Sequence, residues 1–440
     1  MNIKLQASDK HFSSLGGLFL VNKLLESNSL DALVEPCLPS LKSGKARSLN
    51  KFKDLIRGFA AGAECLEDMD QLSKDVGFAA ACGGRTYTSK SFGDYLRSFD
   101  PSKFEDLNQK LAQLSWSLRS KISDSKEAVF DFDSTLNKQY GLKMEGVETN
   151  YQMFNSLHTM HVYDELGFSY YHSVKPGATH TANDISGIVH RLFSALKNNL
   201  KDKKVRARAD SGYCNQHFIN ACFAKDIEYV VCFRKNENFH NITRQVHNWT
   251  PCDPSEKKAI VFYDGRECEI GTTNYRMNGC TQRSRLVIVR AKKPVEEGYD
   301  GPIVDSAYNY DYFALATNIP ESLMDSKDLV RFYRQRANAE NFIKEAKYGF
   351  DLKHYPCQKL SANKAYGLIA AFAQSFMRFI ALADNKDKPH FSKAIRNKFI
   401  LLAGQVVRHG REVIFRMNKE VYEEVKQLML KISSFNCGFT

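Results

Sequence analysis

The stretch EAVFDFDST, residues 127–135, decides the fold class because its side chains alternate in the manner of a β-strand. Its apolar face carries three residues: Ala128, Phe130 and Phe132. Asp131 and Asp133 follow Val129 on the other face, and the pattern predicts that Asp133 ends the strand. A strand that buries one face and presents two carboxylates on the other indicates an α/β unit with polar chemistry at its edge.

The segments downstream extend this unit in a regular order. The patterns predict a hairpin at 159–174 turning near Glu165 to Gly167, a helix at 179–200 capped by Thr181, a strand at 204–210, a short helix at 215–226 and a strand at 227–234. The order is therefore three strands, helix, strand, helix, strand. Asp210 in RADSGY ends the fourth strand, so a second carboxylate also stands at a strand end.

The regions on either side of this unit show different patterns of apolar and polar residues. Residues up to about 119 show apolar side chains at helical spacing with nearly balanced charge, which leaves open a helical reader of DNA ends. From about 235 to 310 the chain indicates β-hairpins, with turns at Asp264-Gly265 and Asn278-Gly279. This β-rich segment is interpreted as an insertion, because a helix starting at Ser326 would complete the earlier α/β unit.

Composition points to a polyanionic partner without proving one. The 440 residues carry a net charge of +12, which favours nucleic acid first and an anionic membrane surface second, although a basic enzyme can have the same charge. Eleven cysteines lie in no C-x-x-C pair, which favours reduced thiols of a cytosolic protein over a zinc site.

One apolar segment is long enough to cross a bilayer, namely residues 365–383. It contains Gln374, Ser375 and Arg378, and an Arg near the bilayer centre costs about 2.5–3.5 kcal/mol. The sequence therefore favours a buried helix over a membrane span.

The segment YRQRANAENFIKEAK, residues 333–347, carries an unusual polar edge. If it is one helix at about 100° per residue, an arc of about 60° holds four residues: Tyr333, Arg336, Glu340 and Lys347. The alternative is a set of ordinary surface pairs at i,i+4 spacing.

The two strand-end aspartates strengthen the hypothesis that Glu340 is a functional residue. If the strands of Asp133 and Asp210 are neighbours, a covering helix can add Glu340 to their carboxylates. Three clustered carboxylates repel one another unless cations bind between them. Oxygen ligands of this kind suit Mg²⁺ or Mn²⁺, and two such ions promote phosphodiester chemistry.

These three segments resemble the motifs of DDE transposases of bacterial insertion sequences. DFDST and RADSGY are similar to the two aspartate motifs, and YRQRANAENFIKEAK keeps every spacing of the group signature Tyr-x2-Arg-x3-Glu-x6-Lys. The resemblance implies a ribonuclease-H-like mixed sheet with flanking helices, interrupted by a β-rich insertion and preceded by a helical N-terminal domain. The expected units are residues 1–120, 121–235, 236–312, 313–383 and a basic tail at 384–440 with a dimer contact.

The resemblance also implies roles for individual residues. Asp133, Asp210 and Glu340 would be catalytic and hold the metal ions, two Mg²⁺ or Mn²⁺. Phosphates near the cleaved DNA end would contact three further residues: Tyr333, Arg336 and Lys347. Asp131, on the same strand face as Asp133, is the alternative first acid.

The activity implied is cut-and-paste DNA transposition in a bacterial cytoplasm, at the nucleoid. The partners would be double-stranded DNA, as terminal inverted repeats and target, and a second copy of the chain in a homodimer. Two alternatives remain: a DNA-binding protein that has lost catalysis, and a structure-specific nuclease on the same core. Trp249 in the insertion is expected to be a core or surface residue, although the resemblance would also allow it to stack on a flipped base.

Overall fold

The computed structural model describes residues 10–42, 44–235, 239–256, 258–294, 309–410 and 412–434. Its helices are α1 (Leu18–Ser27), α2 (Leu30–Val34), α3 (Lys45–Ala61), α4 (Asp68–Leu72), α5 (Val76–Ala81), α6 (Ser89–Arg97), α7 (Phe104–Ile122), α8 (Ile185–Ala195), α9 (Lys197–Leu200), α10 (Gln216–Ala224), α11 (Phe239–Thr243), α12 (Ser326–Arg334), α13 (Ala337–Gly349), α14 (Leu360–Asp384), α15 (Ser392–Ile395) and α16 (Lys419–Ser434). Helices dominate the first 122 residues, as the sequence predicts.

The strands form two sheets. They are β1 (Phe12–Ser13), β2 (Glu127–Lys138), β3 (Glu148–Thr149), β4 (Asn155–Asp164), β5 (Ser169–Pro176), β6 (Lys204–Ala209), β7 (Glu228–Cys232), β8 (Thr250–Pro251), β9 (Glu269–Tyr275), β10 (Ser284–Lys292), β11 (Tyr310–Thr317), β12 (Gly404–His409) and β13 (Glu412–Arg416). Strands β1, β12 and β13 form the small sheet, and the other ten form the large one.

The large sheet has the mixed topology of a ribonuclease-H-like core. Its first part runs in the order β5-β4-β2-β6-β7. Strand β2 is antiparallel to β4 and parallel to β6, and β7 continues parallel to β6. Helices α8 and α10 connect the parallel strands, as the sequence order predicts. The α/β fold class with flanking helices is thus confirmed.

Strand β2 lies between β4 and β6, and both of its faces are buried. Phe130 packs edge-on against Phe193 of α8, and Phe132 packs against Phe218 of α10. The other face, which carries Asp131 and Asp133, is covered by α13. The alternation seen in the sequence therefore separates an apolar layer from a layer of buried carboxylates. Strand β2 also runs on to Lys138, so the expectation that Asp133 ends the strand is wrong.

The β-rich segment continues the large sheet. Strand β11 is antiparallel to β7, and β10, β9 and β8 follow in that order. Gly265 and Gly279 adopt φ values of +88° and +75°, as expected for the two turn dipeptides. Sheet pairing thus joins the segment rigidly to the strands that carry the aspartates. The five domain boundaries remain a prediction.

Helix α14 forms the centre of the helical layer. Helices α3, α6 and α7 pack on it, and Phe52 meets Phe372 edge-on at 5.3 Å between ring centroids. Ser115 of α7 lies 3.0 Å from Ser375 through their hydroxyl oxygens. The helix is long and apolar enough to cross a membrane, but 100% of its apolar stretch is buried inside the protein. It is a core helix in this structure, in agreement with the sequence.

The small sheet pairs residues 12–13 with residues of the described part of the C-terminal tail. Strand β12 is antiparallel to β1, with Phe12 opposite Gln405, and β13 completes the sheet. Helix α16 returns to pack on α14. The tail is therefore part of the fold, and its expected dimer contact stays a prediction.

Two local expectations are wrong. Residues 333–347 do not form one helix, because α12 ends at Arg334 and α13 begins at Ala337. At the junction Arg336 N donates to Tyr333 O and Ala339 N donates to Arg336 O, which are i→i+3 bonds that tighten the turn. Helix α8 likewise starts after Asp184 rather than Thr181.

Candidate active site

The first two acids of the site come together through strand register. Phe132 of β2 is paired with Ala209 of the parallel strand β6, so Asp133 and Asp210 lie side by side one residue further on. Neighbouring strands are about 4.8 Å apart. Asp133 is only 6% exposed, and Asp210 accepts a hydrogen bond from Gly212 N at 2.9 Å. The predicted pairing of these two aspartates is therefore present.

Asp131 has a different environment, which separates it from Asp133. Both of its oxygens accept hydrogen bonds from Arg208, at 2.7 and 2.8 Å, and the two side chains are almost fully buried. The third arm of Arg208 donates to Phe332 O at 2.7 Å. A carboxylate held by a bidentate guanidinium has little capacity left for a metal ion. The geometry thus favours Asp133 as the first acid.

Arg336 stands at the junction of α12 and α13 and bridges the remaining carboxylates. It donates to Asp133 Oδ2 at 2.8 Å and to Glu340 Oε1 at 3.4 Å. Glu340 lies in the first turn of α13 with its side chain 54% exposed. Asp133 and Glu340, which are distant in sequence, therefore share one guanidinium group as their counter-ion.

The described residues contain no group of three or more His, Cys, Asp or Glu side chains placed to hold a metal ion. The two aspartates converge, but Glu340 meets them only through Arg336. A guanidinium supplies the positive charge that three neighbouring acids require.

The electrostatics agree with this picture. Burial raises the pKa of Asp133 to about 6, the charge of Asp210 adds to the rise, and Arg336 opposes it. Burial also raises the pKa of Asp210. Burial lowers the pKa of Arg336, but the nearby acidic groups, with Asp133 first among them, together outweigh burial and the net shift is upward. Burial thus disfavours the ionised forms of both aspartates, and a further cation would favour those forms.

Tyr333 and Lys347 are less open than the resemblance implies. Tyr333 is 7% exposed, its ring packs on Phe313, and the Arg336 guanidinium lies 5.8 Å from its ring centre. Lys347 donates to Thr135 Oγ1 at 2.5 Å and to Leu136 O at 3.3 Å, so it ties α13 to β2. Of the three residues expected to bind phosphate, Arg336 alone contacts an acid of the site.

Three residues of the site were missed by sequence reasoning. Arg208 precedes Asp210 by two positions, as Asp131 precedes Asp133, so the period of two could have shown the pair. His161 is paired with Asp133 in the β2–β4 register, and burial lowers its pKa well below the usual value. Thr181 lies 3.3 Å from Ser134 through their hydroxyl oxygens. Only the register of the folded sheet places His161 and Thr181 here.

Trp249 of the insertion is partly buried, and a cation covers its ring. The guanidinium of Arg290 lies 4.0 Å from the Trp249 ring centre and 4.2 Å from that of Tyr310. Arg290 also donates to Glu269 at 2.7 Å. The indole is therefore a packing residue in this structure, as the sequence favours.

Comparisons with known proteins cover almost the whole chain. The family described as transposase DDE domain group 1 matches residues 1–434. No curated protein matches the chain. Among solved structures, it is similar to a cryo-EM structure of the piggyBac transposase synaptic complex with hairpin DNA, at 11% identity and a TM-score of 0.44, over 98% of this chain and 84% of that one. The family match includes both aspartate strands and the helices on either side of Arg336.

Proposed function

The chain belongs to the family of transposase DDE domain group 1, and from this premise we propose that it cuts DNA at the ends of its own mobile element and joins those ends to target DNA. One observation carries the proposal: Asp133 and Asp210 lie side by side on parallel strands, and Arg336 links Asp133 to Glu340. Water would cut the DNA strand, and the freed 3′ hydroxyl would then attack a second phosphodiester, either across the duplex to form a hairpin or in target DNA.

We propose that Mg²⁺ or Mn²⁺, as two ions, serves this chemistry. The donors are carboxylate oxygens, which these hard cations prefer, and Asp133 and Asp210 lie side by side on parallel strands. Asp133, Asp210 and Glu340 would hold the ions. When bound, a divalent ion supplies positive charge to the attacking and leaving oxygens of a phosphodiester.

Arg336 connects metal binding to DNA binding in this proposal. A guanidinium pairs with a phosphate as readily as with a carboxylate, so a DNA phosphate can take Arg336 from Asp133 and Glu340. The acids then lose their internal counter-ion and gain affinity for metal. Tyr333 would act by positioning Arg336, since its buried ring lies beside the guanidinium of that residue. Lys347, at the β2 edge, would add a point charge near the same phosphates.

The proposed partners are double-stranded DNA, as terminal inverted repeats and as target, and a second copy of the chain that brings two element ends together. The net charge of +12 supports contact with the phosphate backbone. The proposed place of action is the bacterial cytoplasm, at the nucleoid.

The test is a cleavage and joining assay with Mg²⁺ on duplexes that carry the inverted repeats flanking the gene. Asp133→Asn and Glu340→Gln should each reduce cleavage by about 10³-fold or more, as expected when a group that stabilises the transition state is lost. Glu423→Gln is the matched control, because Glu423 is an exposed helical glutamate in a loose surface pair with Lys426. Cleavage that survives in both site variants would disprove the proposal.

The two rival functions give different products in the same assay. A protein that has lost catalysis would bind the repeats but never nick them with either metal. A nuclease would release ends without joined products. Joined DNA from the unmodified chain, absent with Asp133→Asn, is the result expected of a transposase.

A further inference from the structure

Two buried cysteines of the insertion face one another across adjacent strands. The antiparallel register pairs Pro251 of β8 with Glu269 of β9, which places Cys252 opposite Cys268 at the next position. Cys252 N donates to Cys268 O at 2.9 Å, so this is a hydrogen-bonded pair, for which the Cα atoms are about 5.5 Å apart. That separation lies within the range of about 4.4–6.8 Å found in disulfides.

The side chains of this pair lie on the same face of the two strands, since directly paired residues of a sheet share a face. Cys268 Sγ donates to Ile260 O at 3.3 Å. Each residue is at most 5% exposed. The two cysteines are therefore buried neighbours on one face of the β8–β9 pair.

A cavity borders both cysteines. It has a volume of about 480 Å³, and Cys252 and Cys268 both line it. Arg266, Arg290 and Lys292 are among its other lining residues. A volume of this size falls within the range of about 300–1,000 Å³ typical of sites for small molecules. Burial of the thiols thus does not exclude a low-molecular-weight reagent.

Cys252 is also chemically distinct from the other cysteines that the structure describes. The neighbouring Cys268 thiol lowers the pKa of the Cys252 thiol, and the charges of Lys327 and Arg334 lower it further. Burial raises the pKa of Cys222, which is fully buried. Because the thiolate is the nucleophile in disulfide exchange, Cys252 is the member of the pair that reacts first.

We propose that Cys252 and Cys268 form a reversible disulfide that links β8 to β9, with a low-molecular-weight disulfide such as glutathione disulfide as the oxidant. The Cys252 thiolate attacks one sulfur of the reagent, which forms a mixed disulfide and releases one thiol. Cys268 then gives up its proton and attacks the Cys252 sulfur, which releases the second thiol. Two protein thiols lose two electrons, and the reagent disulfide is reduced to two thiols.

The bond would strengthen the contact between the insertion and α12. The segment between the cysteines includes Glu256, which accepts hydrogen bonds from Lys327 at 2.6 Å and from Arg331 at 2.9 Å. Arg334 at the end of α12 donates to Val261 O at 2.5 Å. A disulfide that closes this segment restricts the unfolded chain and stabilises the docked arrangement.

The proposal is tested on the full-length chain by mass spectrometry. The reduced protein is incubated with glutathione disulfide, quenched in acid, alkylated and digested. The expected result is a linked Cys252–Cys268 peptide that appears before any other cysteine pair and disappears with dithiothreitol, together with a rise of about 5 °C in the unfolding midpoint. Linkage of other cysteines first, or no linkage of this pair at concentrations that crosslink the urea-unfolded chain, would overturn the proposal.

Two variants separate the pair from general cysteine oxidation. Cys268→Ser should accumulate glutathione on Cys252 and show no rise in midpoint, whereas Cys222→Ser should form the bond as the unmodified chain does. Should Cys268→Ser fail to fold, the linked peptide of the unmodified chain decides alone. A midpoint that rises equally in folded Cys268→Ser would contradict the assignment. The outcome is independent of whether the chain cuts DNA.

Discussion

Replacing Asp131 by Asn should destabilise the fold, although replacing its neighbour Asp133 should not. Asp131 and Arg208 form a bidentate pair in which the side chains are 1% and 2% exposed. Removing one partner of a buried pair costs about 3–5 kcal/mol, since the other charge is left without compensation. The Asn oxygen can still accept one bond from Arg208, so we expect a loss of about 3 kcal/mol for Asp131→Asn.

Asp133→Asn should behave in the opposite way. The pKa of Asp133 is raised from 3.8 to about 6, so its ionised form is disfavoured in the folded protein, and the shift of about two units corresponds to at most about 3 kcal/mol at neutral pH. The lost bond to Arg336 offsets part of this gain. The free energy of unfolding should therefore stay equal or rise, while DNA cleavage is lost.

Urea unfolding measures the free energy of unfolding of both variants. A double-mutant cycle consists of Asp131→Leu, Arg208→Met and the double variant Asp131→Leu/Arg208→Met. Because apolar residues can replace a buried ion pair, the double variant should be more stable than either single one. Asp94→Asn is the control, since the Arg97–Asp94 pair is exposed and should contribute less than about 1 kcal/mol. If Asp131→Asn costs no more than Asp94→Asn, the structural role of Asp131 is wrong.

Three further predictions concern stability and metal binding. Gly167→Ala should lose about 2–4 kcal/mol of unfolding free energy, because φ is +90° and the new Cβ would lie 2.5 Å from the Phe342 ring. Its control is Gly265→Ala, which has a similar φ of +88° but open space around it and should lose only about 1 kcal/mol; thermal unfolding measures both variants. Burial raises the pKa of Asp54 to about 6. The group therefore favours the folded state by up to about 3 kcal/mol below about pH 4, and this contribution is lost as the pH rises through 6. Asp54→Asn should therefore flatten the dependence of the unfolding free energy on pH between pH 4 and 6. Arg336→Gln should bind Mn²⁺ more tightly than the unmodified chain in calorimetry without DNA, and equal affinities would contradict the counter-ion role of Arg336.

The sequence predicts the strands that carry Asp133 and Asp210 because a strand has a period of two. The alternation around Asp133 and the alternation before Asp210 identify two strands with acids at comparable positions. Local pattern does not make these strands neighbours, because β3, β4, β5 and α8 lie between them in the chain; their parallel pairing is seen only in the folded sheet. The predicted end of the strand at Asp133 was wrong, because pairing with β4 extends β2 to Lys138 and local composition does not show this pairing.

The third motif shows where local pattern stops being sufficient. A wheel drawn through residues 333–347 assumes continuous i→i+4 bonding, but the chain tightens at Arg336 and changes the phase of everything after it. Nothing in the local sequence, such as Pro or Gly, marks this break. Arg336 and Asp133 lie far apart in the chain, so helical propensity does not predict the contact between them.

The continuity of the sheet into the insertion was also beyond sequence reasoning, although it has a consequence for the site. Pairing of β11 with β7 fixes the strand that precedes α12, and Arg334 at the end of α12 is bonded to the insertion at Val261 O. Arg336 follows two residues later and reaches Asp133. Because sheet pairing and helix docking fix both sides of this path, a change in the insertion can alter the position of Arg336 without any contact between the insertion and the acids.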